Sequence, residues 1–284
     1  MLLVFGGTGK VGRALLPLLV ASGRPVRATV RSAEAAEIVS RQGAIPVLGD
    51  LDRPATLREA LSGISRLFLL TPPREDEAER KAEVIDLARK AGVAQVVLLS
   101  GAGAEGESPI SQARAHAAAE AHLRTSGLGH AILRPAYFMD NLAAQAGVIR
   151  SLGALFGNAG QGRIAMVDAR DIAAVAMACL LEEGHAGATY HLTGPEALSF
   201  ENVAASLGTL LGRTIGYQDL PGDALSSALA QQGYPAWLAR DLALLGEDFA
   251  RGRHAPVSED VGRILGRSPI PLRQYLRDHA EVFR

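Results

Sequence analysis

The chain opens Met1-Leu2-Leu3-Val4-Phe5-Gly6-Gly7-Thr8-Gly9-Lys10-Val11-Gly12, an apolar run that ends in glycines at positions 6, 9 and 12. Val11, Leu15, Leu18 and Leu19 then recur at helical spacing. A buried strand that turns at once into a helix fits this order. Glycine suits a bend that has no room for side chains and lets a ligand approach bare backbone. Unpaired N–H groups at the start of the helix would face a phosphate, whose charge the helix dipole favours. The stretch therefore reads as a dinucleotide-binding turn. Gly9-Lys10 does not make it a nucleoside-triphosphate loop, which needs Ser or Thr after the lysine and a glycine five residues ahead of the Gly-Lys pair. Val11 and Val4 stand there.

The same alternation continues downstream. Val26–Val30, Ile45–Leu48, Leu67–Leu70, Val96–Leu99 and Ala131–Leu133 read as further strands with helical segments between them. Pro17 is expected to bend the first helix, because it lacks an N–H and crowds the preceding turn. Ser32 caps a second helix, and Ser108-Pro109 caps a long one that stops at Gly127. The charged segment from Glu75 to Lys90 reads as a helix with a solvated outer face. Beyond residue 150, Gly153 to Gly162 looks like a loop, and Ile164–Val167 and Thr189–Leu192 look like short strands around a helix near Asp171. From Ser199 the pattern is mostly helical, with one strand suggested at Thr214–Tyr217 and with Tyr234, Trp237 and Phe249 as candidate pocket aromatics.

Strands alternating with helices at this spacing form an α/β fold, a Rossmann-type doubly wound parallel sheet, here with a smaller, mostly helical C-terminal substrate lobe. The division expected is residues 1–152 and 163–195 for the dinucleotide domain, and 153–162 and 196–284 for the substrate-side lobe. Hydrophobic residues make up 48% of the 284, enough for a large core. Lys plus Arg at 29 against Asp plus Glu at 30 leaves no field to attract nucleic acid or an anionic membrane. No apolar run approaches the ~20 residues of a membrane span, and a strand starting at Met1 leaves no room for a leader. Cys179, the single cysteine, lies in an apolar helical pattern and reads as core. A cytoplasmic protein is expected.

Sheets of this kind bind ligands beyond the carboxyl ends of their strands. Arg31 leaves the second strand where such folds read the adenosine ribose, and a guanidinium there pairs with the 2′-phosphate of NADP(H), favouring it over NAD(H). Ser32 adds a hydroxyl. Asp50 and Leu51 leave the third strand towards the adenine, and Thr71, Pro72 and Pro73 leave the fourth as a wall near ribose or nicotinamide. On the long helix Gln112, His116 and Glu120 share one face. They lack a further ligand at a spacing that would hold a metal.

With these features in place, the chain resembles the NmrA-like branch of the atypical short-chain dehydrogenase/reductases. Val4 to Gly12 is similar to that family's Gly-x-x-Gly-x-x-Gly fingerprint, and His116 to Glu120 to its His-x-x-x-Glu helix. Ser126-Gly127-Leu128, Ile132-Leu133-Arg134-Pro135, Phe138-Met139-Asp140-Asn141, Val167-Asp168-Ala169-Arg170-Asp171 and Leu192-Thr193-Gly194-Pro195 continue the match. The resemblance implies NADP(H) held by Gly6, Thr8, Gly9, Lys10, Val11, Gly12, Arg31, Asp50 and Leu51. It adds contacts from Thr71, Ser100, Pro135, Ala136, Tyr137 and Phe138. It also implies that Gln112 and His116 stand where the wider superfamily carries its Tyr-x-x-x-Lys pair. Two functions follow. One is a reductase passing hydride to a quinone or similar electron-poor conjugated acceptor, with His116 at the acceptor oxygen and Tyr137, Phe138, Asn141 and Trp237 shaping the pocket. The other is a redox sensor that binds NADP(H) and signals to a protein. The partners implied are a small-molecule acceptor and either a second copy of the chain or a regulatory protein, with no direct nucleic-acid or membrane contact.

Overall fold

The computed structural model describes residues 1–284. Strands β1 (Leu2–Val4), β2 (Val26–Val30), β3 (Ile45–Leu48), β4 (Arg66–Leu69), β5 (Gln95–Leu99) and β6 (Gly129–Pro135) alternate with helices α1 (Lys10–Ala21), α2 (Ala33–Arg41), α3 (Pro54–Leu61), α4 (Glu77–Lys90) and α5 (Ser111–Thr125). A 3-10 turn at Met139–Gln145 leads to α6 (Ala146–Leu152), β7 (Ala154–Gly157), α7 (Ala169–Leu181) and β8 (Ala188–Leu192). The remainder is α8 (Phe200–Leu211), β9 (Gly216–Asp219), α9 (Gly222–Gln231), α10 (Ala236–Ala250) and three short helices at Asp260–Leu265, Leu272–Asp278 and Ala280–Phe283.

The main sheet has seven parallel strands in the order β3-β2-β1-β4-β5-β6-β8, so the strand order reverses between β1 and β4. Its strands are apolar on both faces. Leu2, Val4, Phe68, Val97 and Leu133 pack with Leu15, Leu19 and Ile172 of α1 and α7. Leu3, Leu67, Leu69, Val96 and Ile132 pack on the other side with Leu57, Val84 and Leu123 of α3, α4 and α5. Both faces being covered is what lets these strands be almost continuously hydrophobic. Pro46 is tolerated in β3 because β3 is an edge, bonded only to β2. A third apolar cluster joins Met139, Ile149, Leu155 and Met166 to Phe200, Phe249 and Tyr275 beyond the carboxyl edge.

Several sequence expectations need correction. The stretch expected as a loop, 153–162, contains β7, which pairs in parallel with β9 as a separate two-stranded sheet. The strand suggested at 214–217 lies at Gly216–Asp219. Residues 164–167 make only isolated bridges, Ile164 to Leu198 and Val167 to Phe138. Helix α5 starts at Ser111 and is capped from a distance: Asp241 on α10 accepts from the Ser111 and Gln112 backbone N–H groups at 3.0 and 2.9 Å. Ser108 merely accepts from Ile110 N–H. Helix α1 continues through Pro17, which has no N–H for the Arg13 carbonyl; the Gln42 side-chain amide supplies that donor at 3.1 Å. Helix α4 is not wholly a solvated face, since Glu77 and Lys81 point inward at 2% and 1% side-chain exposure.

Candidate active site

The first turn is as tight as its glycines suggest. Gly6 sits at φ +76°, in left-handed space, and its carbonyl accepts from Gly9 N–H at 3.0 Å. A β-carbon on Gly12 would lie 2.1 Å from the Gly6 carbonyl oxygen and 2.6 Å from Gly7 Cα. Gly9 is the N-cap of α1, so the exposed N-terminus of the helix opens at the β1–β4 reversal, where such sheets take a dinucleotide pyrophosphate. Arg31 is exposed at the end of β2 and has no hydrogen bond or ion pair within the protein. A cradle of bare backbone with an unengaged guanidinium one strand away fits a dinucleotide.

The other expected residues divide by what their side chains already hold. Lys10 donates to Asn141 Oδ1 at 2.8 Å and to the Asp140 carbonyl at 3.1 Å, so the first turn and the segment after β6 meet across the crevice. Ser32 accepts from Ala35 N–H as the cap of α2. Asp50 accepts from Asp52 N–H and from Arg53, and these bonds hold its carboxyl below its ordinary range. Leu51 packs in the core with Leu57. Thr8 is half-buried, Pro72 and Pro73 are exposed, and Val11, Pro135 and Ala136 are buried. Phe138 packs towards the sheet, while Tyr137 sits edge-on to Phe249 and Phe200 at 5.5 and 6.2 Å between ring centres. Burial pushes the Tyr137 hydroxyl up to about 12, with Tyr234 adding to the effect. Trp237 is half-buried on α10 and Phe249 is core. A separate cleft of about 750 Å³ opens beyond β5, β6 and β8, lined by Ala102, Ala136, Thr193 and His254 among others.

On α5 the two residues of the His-x-x-x-Glu pair have different surroundings. Glu120, 1% exposed, accepts from Ser100 at 2.6 Å, from Arg134 at 2.8 and 2.6 Å, and from Arg124 at 3.0 Å. It thereby locks α5 to the exits of β5 and β6. Burial raises its pKa, but bonds from Arg134, Ser100 and Arg124 outweigh that and leave it lowered. The stability this gives is present above the unfolded glutamate value of about 4.3 and is lost as pH falls through the lower folded value. Glu120→Gln should therefore lower stability by about 2–3 kcal/mol at neutral pH, and by much less near pH 3. Urea unfolding at both pH values checks this; an equal loss at each would exclude the ionic role.

His116 lies one turn earlier on the same face. Its Cδ2 and Nε2 would sit 3.1 and 3.3 Å from a β-carbon on Gly101, so the ring is packed closely against this glycine at the β5 exit and a side chain there would push it by a few tenths of an ångström. Its Nδ1 is 3.1 Å from Lys81 Nζ. Lys81 also lies 2.6 Å from Glu77 Oε1 and 3.4 Å from the Leu99 carbonyl, and Thr71 donates to the same Glu77 oxygen at 3.2 Å. Burial, and then the Lys81 charge, hold His116 well below the ordinary imidazole range. Lys81 and Glu77 are absent from the residues expected from sequence, yet they continue the buried Val84, Ile85 and Ala88 stripe of α4 towards its N-terminus.

This architecture is that of a dinucleotide-binding α/β protein with a polar cluster beside its crevice. The profile of the NAD(P)H-binding family matches residues 6–183, and the chain belongs to that family. It is 34% identical to the NAD(P)H azoreductase of Xenophilus azovorans, with 100% of this chain and 99% of that one covered. It is 29% identical to quinone oxidoreductase 2 of Escherichia coli, over 96% of each chain. The crystal structure of the Escherichia coli NADPH-dependent quinone oxidoreductase complexed with NADPH superposes with a TM-score of 0.89 at 28% identity, covering 99% and 100%. The crystal structure of a mutant NmrA shares the fold, with a TM-score of 0.78 at 17% identity.

Proposed function

We propose that this protein is an NADPH-dependent reductase that passes hydride to an electron-poor conjugated acceptor of the quinone or azo type. The observation that carries the reading is His116 at the β5 exit, its Nε2 edge against Gly101 and its side chain still 21% exposed. Reductases named for azo compounds and quinones, similar over nearly the whole chain, support the acceptor class. The bound dinucleotide would supply the hydride. Gly6, Gly9 and Gly12 would admit its pyrophosphate, and Arg31 with Ser32 would hold a 2′-phosphate. Lys10 and Asn141, already joined across the crevice, would set how far it opens. The residues' own contribution is orientation, exclusion of water and one donor at the acceptor heteroatom. His116 is that donor. A phenolate or similarly delocalised anion needs little acid assistance, so a neutral imidazole N–H is sufficient.

His116→Ala should lower kcat on a quinone and azo-dye panel on the order of 10–100-fold, with the NADPH dissociation constant within about threefold. Loss of NADPH absorbance gives the first and fluorescence titration the second. Tight binding with no turnover by the wild type on any acceptor would replace this reading with the redox sensor.

A further inference from the structure

The buried Thr71–Glu77–Lys81–His116 chain holds two charged residues, Glu77 and Lys81, that the proposed reaction has not yet used. Lys81 is at 1% exposure in the middle of it. An ammonium has three N–H bonds and no acceptor. Around Lys81 Nζ lie three acceptors, Glu77 Oε1, the Leu99 carbonyl and His116 Nδ1, on α4, β5 and α5. The charged lysine is therefore fully satisfied only if Nδ1 offers its lone pair. That assignment puts the imidazole proton on Nε2, the nitrogen at Gly101.

Resting on His116 as the donor, we propose that Lys81 is its positioning residue and proton source: it fixes the Nε2–H tautomer and refills it through the ring. In the step, the acceptor takes a hydride, with its two electrons, and one proton. The proton leaves His116 Nε2 for the acceptor heteroatom while a proton on Lys81 Nζ passes to Nδ1. The ring is neutral before and after, the lysine becomes an amine, and the acceptor is reduced by two electrons. Once product leaves, water protonates Nε2 and Nδ1 returns its proton to the lysine.

The surroundings suit such a relay. Burial draws the Lys81 pKa down while Glu77 opposes it, which makes the ammonium a readier donor than a solvated one. Glu77 lies 3.9 Å from His116 Nδ1 and its second oxygen has no partner, so its charge acts on Lys81. Glu120, the other carboxylate near Lys81, is already bound by Arg134 and Arg124. The arrangement resembles a tyrosine–lysine couple in purpose, with the lysine supplied by α4 instead of by α5.

The test pairs the Lys81→Met/Glu77→Gln double variant, which avoids leaving a lone buried charge, with ¹⁵N NMR of the His116 ring in the ligand-free protein. In the wild type the spectrum should show Nδ1 unprotonated and Nε2 protonated. The double variant should show mixed tautomers, because the ammonium that holds Nδ1 unprotonated is gone. Its kcat should fall on the order of 10–100-fold, with KM and NADPH affinity changed less than about threefold. A wild-type ring protonated at Nδ1 overturns the inference even if the variant does not fold. Unchanged kcat in the double variant, with His116→Ala still impaired, overturns the role of Lys81 alone. Unchanged kcat in His116→Ala overturns the reading beneath it.

Discussion

Gly12→Ala should abolish measurable dinucleotide binding and lower the thermal midpoint by roughly 6–12 °C, the counterpart of an overpacking cost of about 3 kcal/mol. The added methyl would stand 2.1 Å from the Gly6 carbonyl oxygen and 2.6 Å from Gly7 Cα. Both are backbone atoms, so no rotamer change relieves the clash, and α1 must move off β1. That movement takes the helix N-terminus away from the crevice. Gly9→Ala is the internal comparison. Its nearest neighbour is at 3.3 Å, and the N-cap dihedrals of φ −78° and ψ 178° suit any residue. It should keep the wild-type midpoint within about 2 °C, since the Gly6 carbonyl need yield only by a few tenths of an ångström, while still weakening NADPH by narrowing the cradle. Scanning calorimetry and fluorescence titration separate the two effects. A Gly12→Ala protein with wild-type midpoint and affinity would mean that the turn is not the cradle.

What could be read from sequence was what is local. The glycine turn and the strands that reach the crevice follow from neighbours a few residues apart, and the structure places them as expected. What failed depends on distant partners. Four residues at Ala154–Gly157 become a strand only because Gly216–Asp219 lies beside them. Asp241 caps α5 from 130 positions away, a relation no capping motif encodes. Ser108 looked like the cap and is not.

The site repeats this lesson in its chemistry. Glu77 and Lys81 have the i, i+4 spacing of an exposed ion pair, and interspersed charges along α4 made that the natural reading. Their burial follows from His116 and the Leu99 carbonyl, which face Lys81 from two other elements. One local signal was present. Counted back from Ala88 through Ile85 and Val84, the buried stripe of α4 lands on Lys81 and then Glu77. Likewise, hydroxyls expected to meet the cofactor turn inward: Ser100 to Glu120 and Thr71 to Glu77. Their place at strand ends was legible, but the direction of their bonds was not.

Arg31→Asp should reverse cofactor preference, weakening NADPH on the order of a thousand-fold while leaving NADH within about threefold. Arg31 ends β2, is exposed, and has no acid or carbonyl to satisfy its guanidinium. Asp50, the nearby acid, is bonded to Arg53 and to Asp52 N–H. A 2′-phosphate, with charge about −1.5 to −2, would give Arg31 the bidentate partner the protein does not provide. The aspartate both removes those bonds and sets like charge against the phosphate, whereas the 2′-hydroxyl of NADH can donate to a carboxylate. Because Arg31 makes no hydrogen bond or ion pair within the fold and only attracts Asp50 at longer range, the thermal midpoint without cofactor should change by no more than about 2 °C, so that a large loss of affinity cannot be assigned to unfolding. Raising salt should weaken NADPH more steeply in the wild type than in Arg31→Asp, since the wild type has an ion pair to screen. Equal losses for NADPH and NADH in the variant would show that Arg31 does not read the phosphate.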